Sequence, residues 1–364
     1  MLKMGLSKVL QRESNIELLR VVSIFLVLVV HANMLHKGIG MPGSDDLQHA
    51  FVPTVTRVLF ISVAYVCVDV FIIISGWYGI HTSLRGICKL MFMCLFLGMV
   101  GYGLNLYAGG SFSVGVFVKM FFDLLFPGWF IASYMLMYMF SSVINTFIER
   151  SSEQQVRYVL IAFFVFEFIY GWIFSDESGN LYTFNSGYSA LSLIGIYILA
   201  RYLRVFIYDK KGRNCLSMAF ASGWKRLWFP IWAGIVIFDV LLWVLMTYMG
   251  IGQISSRIFT YTSPMIIIQS ISMFMCFKNL KMRRNKFVNW LGASSLAVLI
   301  VHGYLGCEPF LSGVRYLYQN FDGILCLSVM FIFMFSVFMV AVVIDQVRIF
   351  FWNRLAPYVP DIRI

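Results

Sequence analysis

The chain predicts an all-α integral membrane protein, a bundle of about ten transmembrane helices with both termini in the cytoplasm. Composition is the first reason: of 364 residues 60% are hydrophobic and only 12% are charged, and the mean hydropathy is +0.82. Soluble domains run nearer about 45–50% apolar and about 25% charged. The second reason is a series of apolar runs of about 20 residues, the length a helix needs to cross the hydrocarbon layer. The third is an alternation of basic and non-basic connections between those runs.

The first run, near 16–36, follows Lys3, Lys8 and Arg12 and imitates a secretory signal. No small-residue cleavage site follows it and polar residues interrupt it, so it reads as a retained signal-anchor span. Further apolar windows predict spans near 56–79, 86–108, 128–149, 156–175, 187–208, 225–250, 258–280, 289–307 and 323–350. With the N-terminus inside, 23 of the 28 Lys and Arg residues fall in inner loops and termini, and only Lys37, Arg57, Lys119, Arg257 and Arg315 fall outside. That bias sets the orientation and supports an even number of spans, since a miscount by one would scramble it.

The net charge of +11 is therefore a matter of loop orientation; the basic residues do not cluster on a polar domain, which argues against nucleic acid as a partner. The longest loops, Lys37 to Val55 and Ala108 to Pro127, are both placed outside. The second contains "FVKMFFDLLFPG", whose apolar spacing suits a helix lying at the interface, and loops of this kind can fold back to roof a cavity. Without a repeat, linker or low-complexity tract, residues 1–364 read as one transmembrane domain with a short basic N-terminus, 1–15, and no appended soluble domain is expected. The seven cysteines, at 67, 88, 94, 215, 276, 307 and 326, form no CxxC pair and lie mostly in apolar runs, so neither a disulfide framework nor a metal site is inferred.

Ionisable groups at membrane depth cost about 2.5–3.5 kcal/mol each on insertion scales and so default to the bundle interior or a watery cavity. The candidates are Arg20, His31, Asp69, Glu167, Asp239, His302 and Asp345. Arg20 alone is an inner-edge residue that snorkels to the cytoplasm, and His31 alone is a hydrogen-bonded histidine near the outer interface. Their separation of 11 positions changes that reading. It returns a helix to the same face with about 20° of drift, about 16 Å further along the axis. Imidazole titrates nearest neutrality, which suits His31 to proton transfer. Asp69 can pair with a cation or orient an imidazole. Glu167 and Asp239 are assigned mainly to helix contacts or access pathways, and Asp345, three residues before Arg348, to an ordinary surface pair at the inner edge. The sequence lacks a G-x-S-x-G elbow, a P-loop, an H-E-x-x-H and a dinucleotide fingerprint, so any chemistry must come from spaced intramembrane polar groups.

Four stretches together resemble the bacterial membrane acyltransferase family 3, the O-acyltransferases of surface polysaccharides and related glycans. They are Arg–x10–His within "RESNIELLRVVSIFLVLVVHA"; "VDVFIIISGWYG"; "PGWFIASYMLMYMF"; and "WLGASSLAVLIVHGYL". The second departs from the family pattern at Cys67 and Trp77, the fourth at Val298 and Leu299, where an aromatic is usual. Order and spacing across nearly the whole chain make the match specific.

The resemblance implies transfer of an acyl group, most often acetyl, from cytoplasmic acyl-CoA to a hydroxyl of an extracytoplasmic or lipid-linked glycan at a bacterial inner membrane. It casts His31 as base or acyl carrier and Arg20 as a grip on the donor's phosphates. Asp69 joins them as a catalytic candidate; Ser75, Gly76, Trp129 and His302 are candidates for donor or substrate binding. Basic inner loops, "RYLRVFIYDKKGR" and "KNLKMRRNK", can recruit a polyanionic donor or simply follow the positive-inside bias. A glycan or solute transporter and a polysaccharide polymerase are the rival readings. The chain shows neither the repeated halves of the former nor the large outer loop expected of the latter.

Overall fold

A computed structural model describes residues 13–35, 38–107, 112–123, 128–175, 183–209, 226–305 and 307–363. Lys3, Lys8, Arg12, Lys37, Lys210, Lys211, Arg213, Cys215 and Lys225 lie outside these, as does part of the segment from Ala108 to Pro127. The described residues are almost entirely helical, with a single isolated bridge between Ser83 and Arg363.

The helices, in chain order, are α1 (Ser14–Met34), α2 (Ser44–His49), α3 (Phe51–Ala64), α4 (Cys67–Tyr78), α5 (Leu84–Tyr107), α6 (Val114–Asp123), α7 (Gly128–Arg150) and α8 (Glu153–Phe166). They continue with α9 (Ala190–Tyr202), α10 (Trp228–Tyr248), α11 (Gly252–Ile258), α12 (Pro264–Asn279), α13 (Lys286–Ala293), α14 (Ser295–Ile300), α15 (Cys307–Asn320) and α16 (Gly323–Leu355). Wider π-helical turns extend α8 through Ile173, α9 through Tyr208 and α14 through Leu305. Segment α6 overlaps the stretch expected at the interface over residues 117–123.

Among the described residues eight helical segments are long and apolar enough to cross a membrane. A ninth is added if Ser295–Gly303 and Cys307–Asn320, bent at 79°, count as one broken span. This is a multi-pass, all-α membrane protein. Of the ten expected spans, the run at 258–280 forms the 16-residue α12, short of the roughly 20 residues a crossing needs. The run at 289–307 is interrupted at Ser294, between α13 and α14. Both lie against α1, where neighbouring helices can cover the ends of a short helix.

Helix α1 is central, touching α3, α4, α12, α13, α14 and α16. Its start is fastened by polar side chains: Ser14 donates to Asn289 Oδ1 at 2.8 Å and accepts from the Asn285 amide at 2.8 Å, and Lys278 pairs with Glu13 at 2.6 Å. Burial by itself pushes the Glu13 carboxyl up, but the hydrogen bond and charge of Lys278 outweigh it and leave the carboxyl below its usual range. Gly76 sets the closest approach of α4 to α9, because a Cβ there would stand 2.6 Å from the Tyr197 carbonyl and 2.7 Å from Ala200 Cβ. Large apolar side chains such as Phe331, Ile332 and Phe335 on α16 face outward, as lipid contact requires.

The Asp345–Arg348 pair departs from the surface role expected of it. Both residues are buried, and the arginine makes a forked contact, Nε to Oδ1 at 2.5 Å and Nη2 to Oδ2 at 3.1 Å. One face of α16 turns into the bundle here, so spacing alone misjudged the environment. Removing one partner of such a pair leaves an uncompensated buried charge. Asp345→Ala is therefore expected to destabilise the protein by on the order of 3–5 kcal/mol. The companion Asp345→Ala/Arg348→Met should recover much of the loss, both read as thermal midpoints in detergent.

Candidate active site

Arg20, Ile24, Val27, His31 and Met34 recur at spacings of four and three and form one stripe along α1. That stripe walls a cavity of about 430 Å³, within the ~300–1,000 Å³ range of small-molecule sites. Arg20, Lys89 on α5, Gly292 and Ala293 line one end. His31 and Met34 line the other, and Trp129, Tyr188 and Tyr261 are also part of the lining. Between the two ends the wall is mostly apolar, from Ile24, Val27, Phe71 and Leu296. The shared stripe expected from sequence is therefore the long wall of a real cavity, with the arginine and the histidine at opposite ends.

At the histidine end, His302 Nε2 lies 3.0 Å from His31 Nδ1, and His302 Nδ1 lies 2.5 Å from the Val298 carbonyl oxygen. A carbonyl only accepts, which assigns the hydrogen of neutral His302 to Nδ1 and leaves its Nε2 as an acceptor. His31 Nδ1 must then carry a hydrogen and donate it. The consequence is an unprotonated Nε2 on His31, the tautomer a base needs. The π turn Val301–Leu305 holds the second histidine in place.

At the other end, Arg20 Nη1 contacts Glu17 Oε1 at 2.6 Å, one turn earlier on α1. Glu17 is buried and sits in a notch left by Gly292. A Cβ at Gly292 would meet Glu17 Cβ at 3.0 Å and its backbone oxygen at 3.1 Å, and would collide with Oε2. The glycine thus allows α13 to approach α1 closely enough to seat the carboxylate that orients Arg20. Two cations here, Arg20 and Lys89, suit an anionic group.

Aromatic rings form a further part of the cavity lining. Trp129 stands edge-on to Tyr188 with ring centroids 4.7 Å apart, and Tyr65 stacks on Tyr261 at 4.7 Å. The hydroxyls of Tyr65 and Tyr188 are 2.8 Å apart. Tyr188 and Tyr261 come from paired connecting segments, in which the Tyr261 amide donates to the Ser186 carbonyl at 3.1 Å. Gly187, at φ +93°, has no room for a Cβ against Tyr261. Rings of this kind can stack on the faces of a sugar.

Of the residues expected at a site, Arg20, His31, Ser75 and Trp129 line the cavity, and His302 supports it from behind. Ser75 Oγ donates to the Phe71 carbonyl at 3.0 Å and lies 3.5 Å from the Tyr134 hydroxyl. Asp69 and Gly76 do not line it. Asp69 is buried in the first turn of α4, and Gly76 serves helix packing. Glu167 and Asp239 are also buried away from the cavity lining. Sequence reasoning missed Glu17, Gly292, Tyr188 and Tyr261. Only Glu17 carried a readable signal, its i,i+3 relation to Arg20. Among the described residues no group of three or more His, Cys, Asp or Glu side chains is placed to hold a metal.

A family model described as an acyltransferase domain matches residues 13–345. No curated protein and no solved structure matches the chain.

Proposed function

The chain belongs to acyltransferase family 3 and is a membrane acyltransferase, and from that premise we propose that it moves a small acyl group, acetyl in the first instance, from cytoplasmic acyl-CoA to a hydroxyl of an extracytoplasmic glycan at a bacterial inner membrane. The observation that carries this reading is the placing of Arg20 and His31 at the two ends of one cavity. Eleven residues of helix separate them by about 16 Å, too far to act on one atom. That span suits an extended donor whose phosphates stay at the Arg20 end while its thioester reaches His31. Both termini then lie in the cytoplasm, as the distribution of basic residues favours.

In this reading the acceptor hydroxyl approaches past Trp129, Tyr188 and Tyr261 and gives its proton to His31 Nε2. Its oxygen bonds to the thioester carbonyl carbon, the carbon–sulfur bond breaks, and the proton passes to the departing thiolate. An ester and free CoA result, with no other reactant consumed.

The test is to supply membranes bearing the protein with labelled acetyl-CoA and follow label into surface glycan. Label dependent on the protein supports the reading; glycan moved across the membrane without label incorporation would favour a transporter instead. On the donor side, Arg20→Ala is expected to raise the apparent KM for acetyl-CoA roughly tenfold to a hundredfold, the worth of a hydrogen bond to a charged group. Gly292→Ala should shift KM in the same direction by displacing Glu17, with kcat less affected. Unchanged donor saturation in both variants would remove Arg20 from donor binding.

A further inference from the structure

The two ends of the cavity differ in charge. Among the described residues that line it, the cations are Arg20 and Lys89. Lys89 lies five residues from the start of α5, and that start is at the Arg20 end, where Tyr78 at the close of α4 donates to Glu13 at 3.0 Å. Val27, Val30, Cys67, Val68 and Leu299 line the cavity with His31. Leu299 stands beside the imidazole, for a Cβ at Gly303 would be 3.5 Å from His31 Cε1 and 3.8 Å from Leu299 Cδ1. The polar groups nearby are already engaged, His31 with His302 and Tyr188 with Tyr65.

We propose that the His31 end of the cavity selects an uncharged acyl group, such as acetyl or propionyl, and excludes acyl groups that end in a carboxylate, such as succinyl. The inference rests on acyl-CoA being the donor. Transfer requires the thioester carbonyl carbon to lie within bonding reach of the acceptor oxygen that His31 deprotonates. The rest of the acyl chain extends from that carbon, away from the sulfur, among the valines and Leu299. An alkyl end gains apolar contact there. A terminal carboxylate would be stripped of water there, while Arg20 is rooted eleven residues from His31, about 16 Å of helix rise along α1. An unpaired buried charge is among the most unfavourable groups a site can be asked to accept.

The experiment compares acetyl-, propionyl- and succinyl-CoA, each labelled in the acyl group, on membranes bearing the full chain, and reads ester-linked label in glycan. Acetyl and propionyl transfer are expected, with succinyl lower by at least about 100-fold. Succinyl transfer within tenfold of acetyl would overturn the selectivity and leave the acyl-CoA reading standing. Transfer from none of the three would overturn that reading and the selectivity together. Leu299→Lys, which puts an ammonium at this wall, should raise the succinyl-to-acetyl ratio at least tenfold. An unchanged ratio in a variant that accumulates normally would remove Leu299 from the acyl site. Should that variant not accumulate, the wild-type comparison decides by itself.

Discussion

His31→Ala is expected to lower acyl transfer by on the order of 10²–10⁴-fold, the usual worth of a positioned general base, while the protein still accumulates in the membrane. The position of the side chain sets this expectation. His31 lines the cavity about 16 Å from Arg20 along the helix, so its removal should leave donor binding largely intact. The loss should therefore fall on kcat, with the donor KM changed little. Truncation also leaves His302 Nε2 without its 3.0 Å partner. A thermal midpoint measured alongside separates that structural loss from the chemical one. Retention of acyl transfer in the alanine variant would exclude His31 from the reaction. A matched rise in donor KM would instead place His31 among the groups that bind the donor.

The second large effect is expected at His302, which is buried and acts through its neighbour. Its Nδ1 hydrogen is committed to the Val298 carbonyl, so its Nε2 is the acceptor that keeps the hydrogen of His31 on Nδ1. His302→Leu removes that acceptor, leaving the His31 ring free to rotate or to move its hydrogen to Nε2. Losing the partner that fixes a histidine's tautomer and orientation typically costs about 10–100-fold, and that loss is expected in kcat. His302→Gln is the discriminating companion, since its amide oxygen can accept from His31 Nδ1. The glutamine variant should recover to within about tenfold of wild type. Equal losses in the two, tracking equal losses in thermal midpoint, would reduce His302 to a packing residue.

These expectations differ in how far the sequence foretold them. Arg20 and His31 were legible because a helix has a fixed period, so a separation of 11 residues specifies both a common face and a depth. Ser75 and Trp129 were reached only through the resemblance of their motifs, and both line the cavity. His302 was legible as an unusual residue at membrane depth, but its role depends on a contact spanning 271 positions. Asp69 was equally conspicuous and lies outside the cavity lining, because sequence rarity marks a buried polar group without saying which neighbour it meets. Asp345 and Arg348 were recognisable as a pair by their spacing; whether that pair faced water or the bundle depended on how α16 packs.

By itself, then, the sequence determined the solvent and the local geometry: long apolar runs with few charges have their stable place in lipid, and within lipid the backbone must satisfy itself as helix. It also determined that Arg20 and His31 share one stripe. Only the tertiary structure decided what that stripe faces. The close approach of α13 to α1 at Gly292, the paired segments that bring Tyr188 and Tyr261 together, and the turn that sets His302 behind His31 all join residues far apart in the chain. The period of one helix cannot encode them, because they arise from the fit of one helix against another, where a single Cβ at Gly292 would displace Glu17 and the arginine it holds.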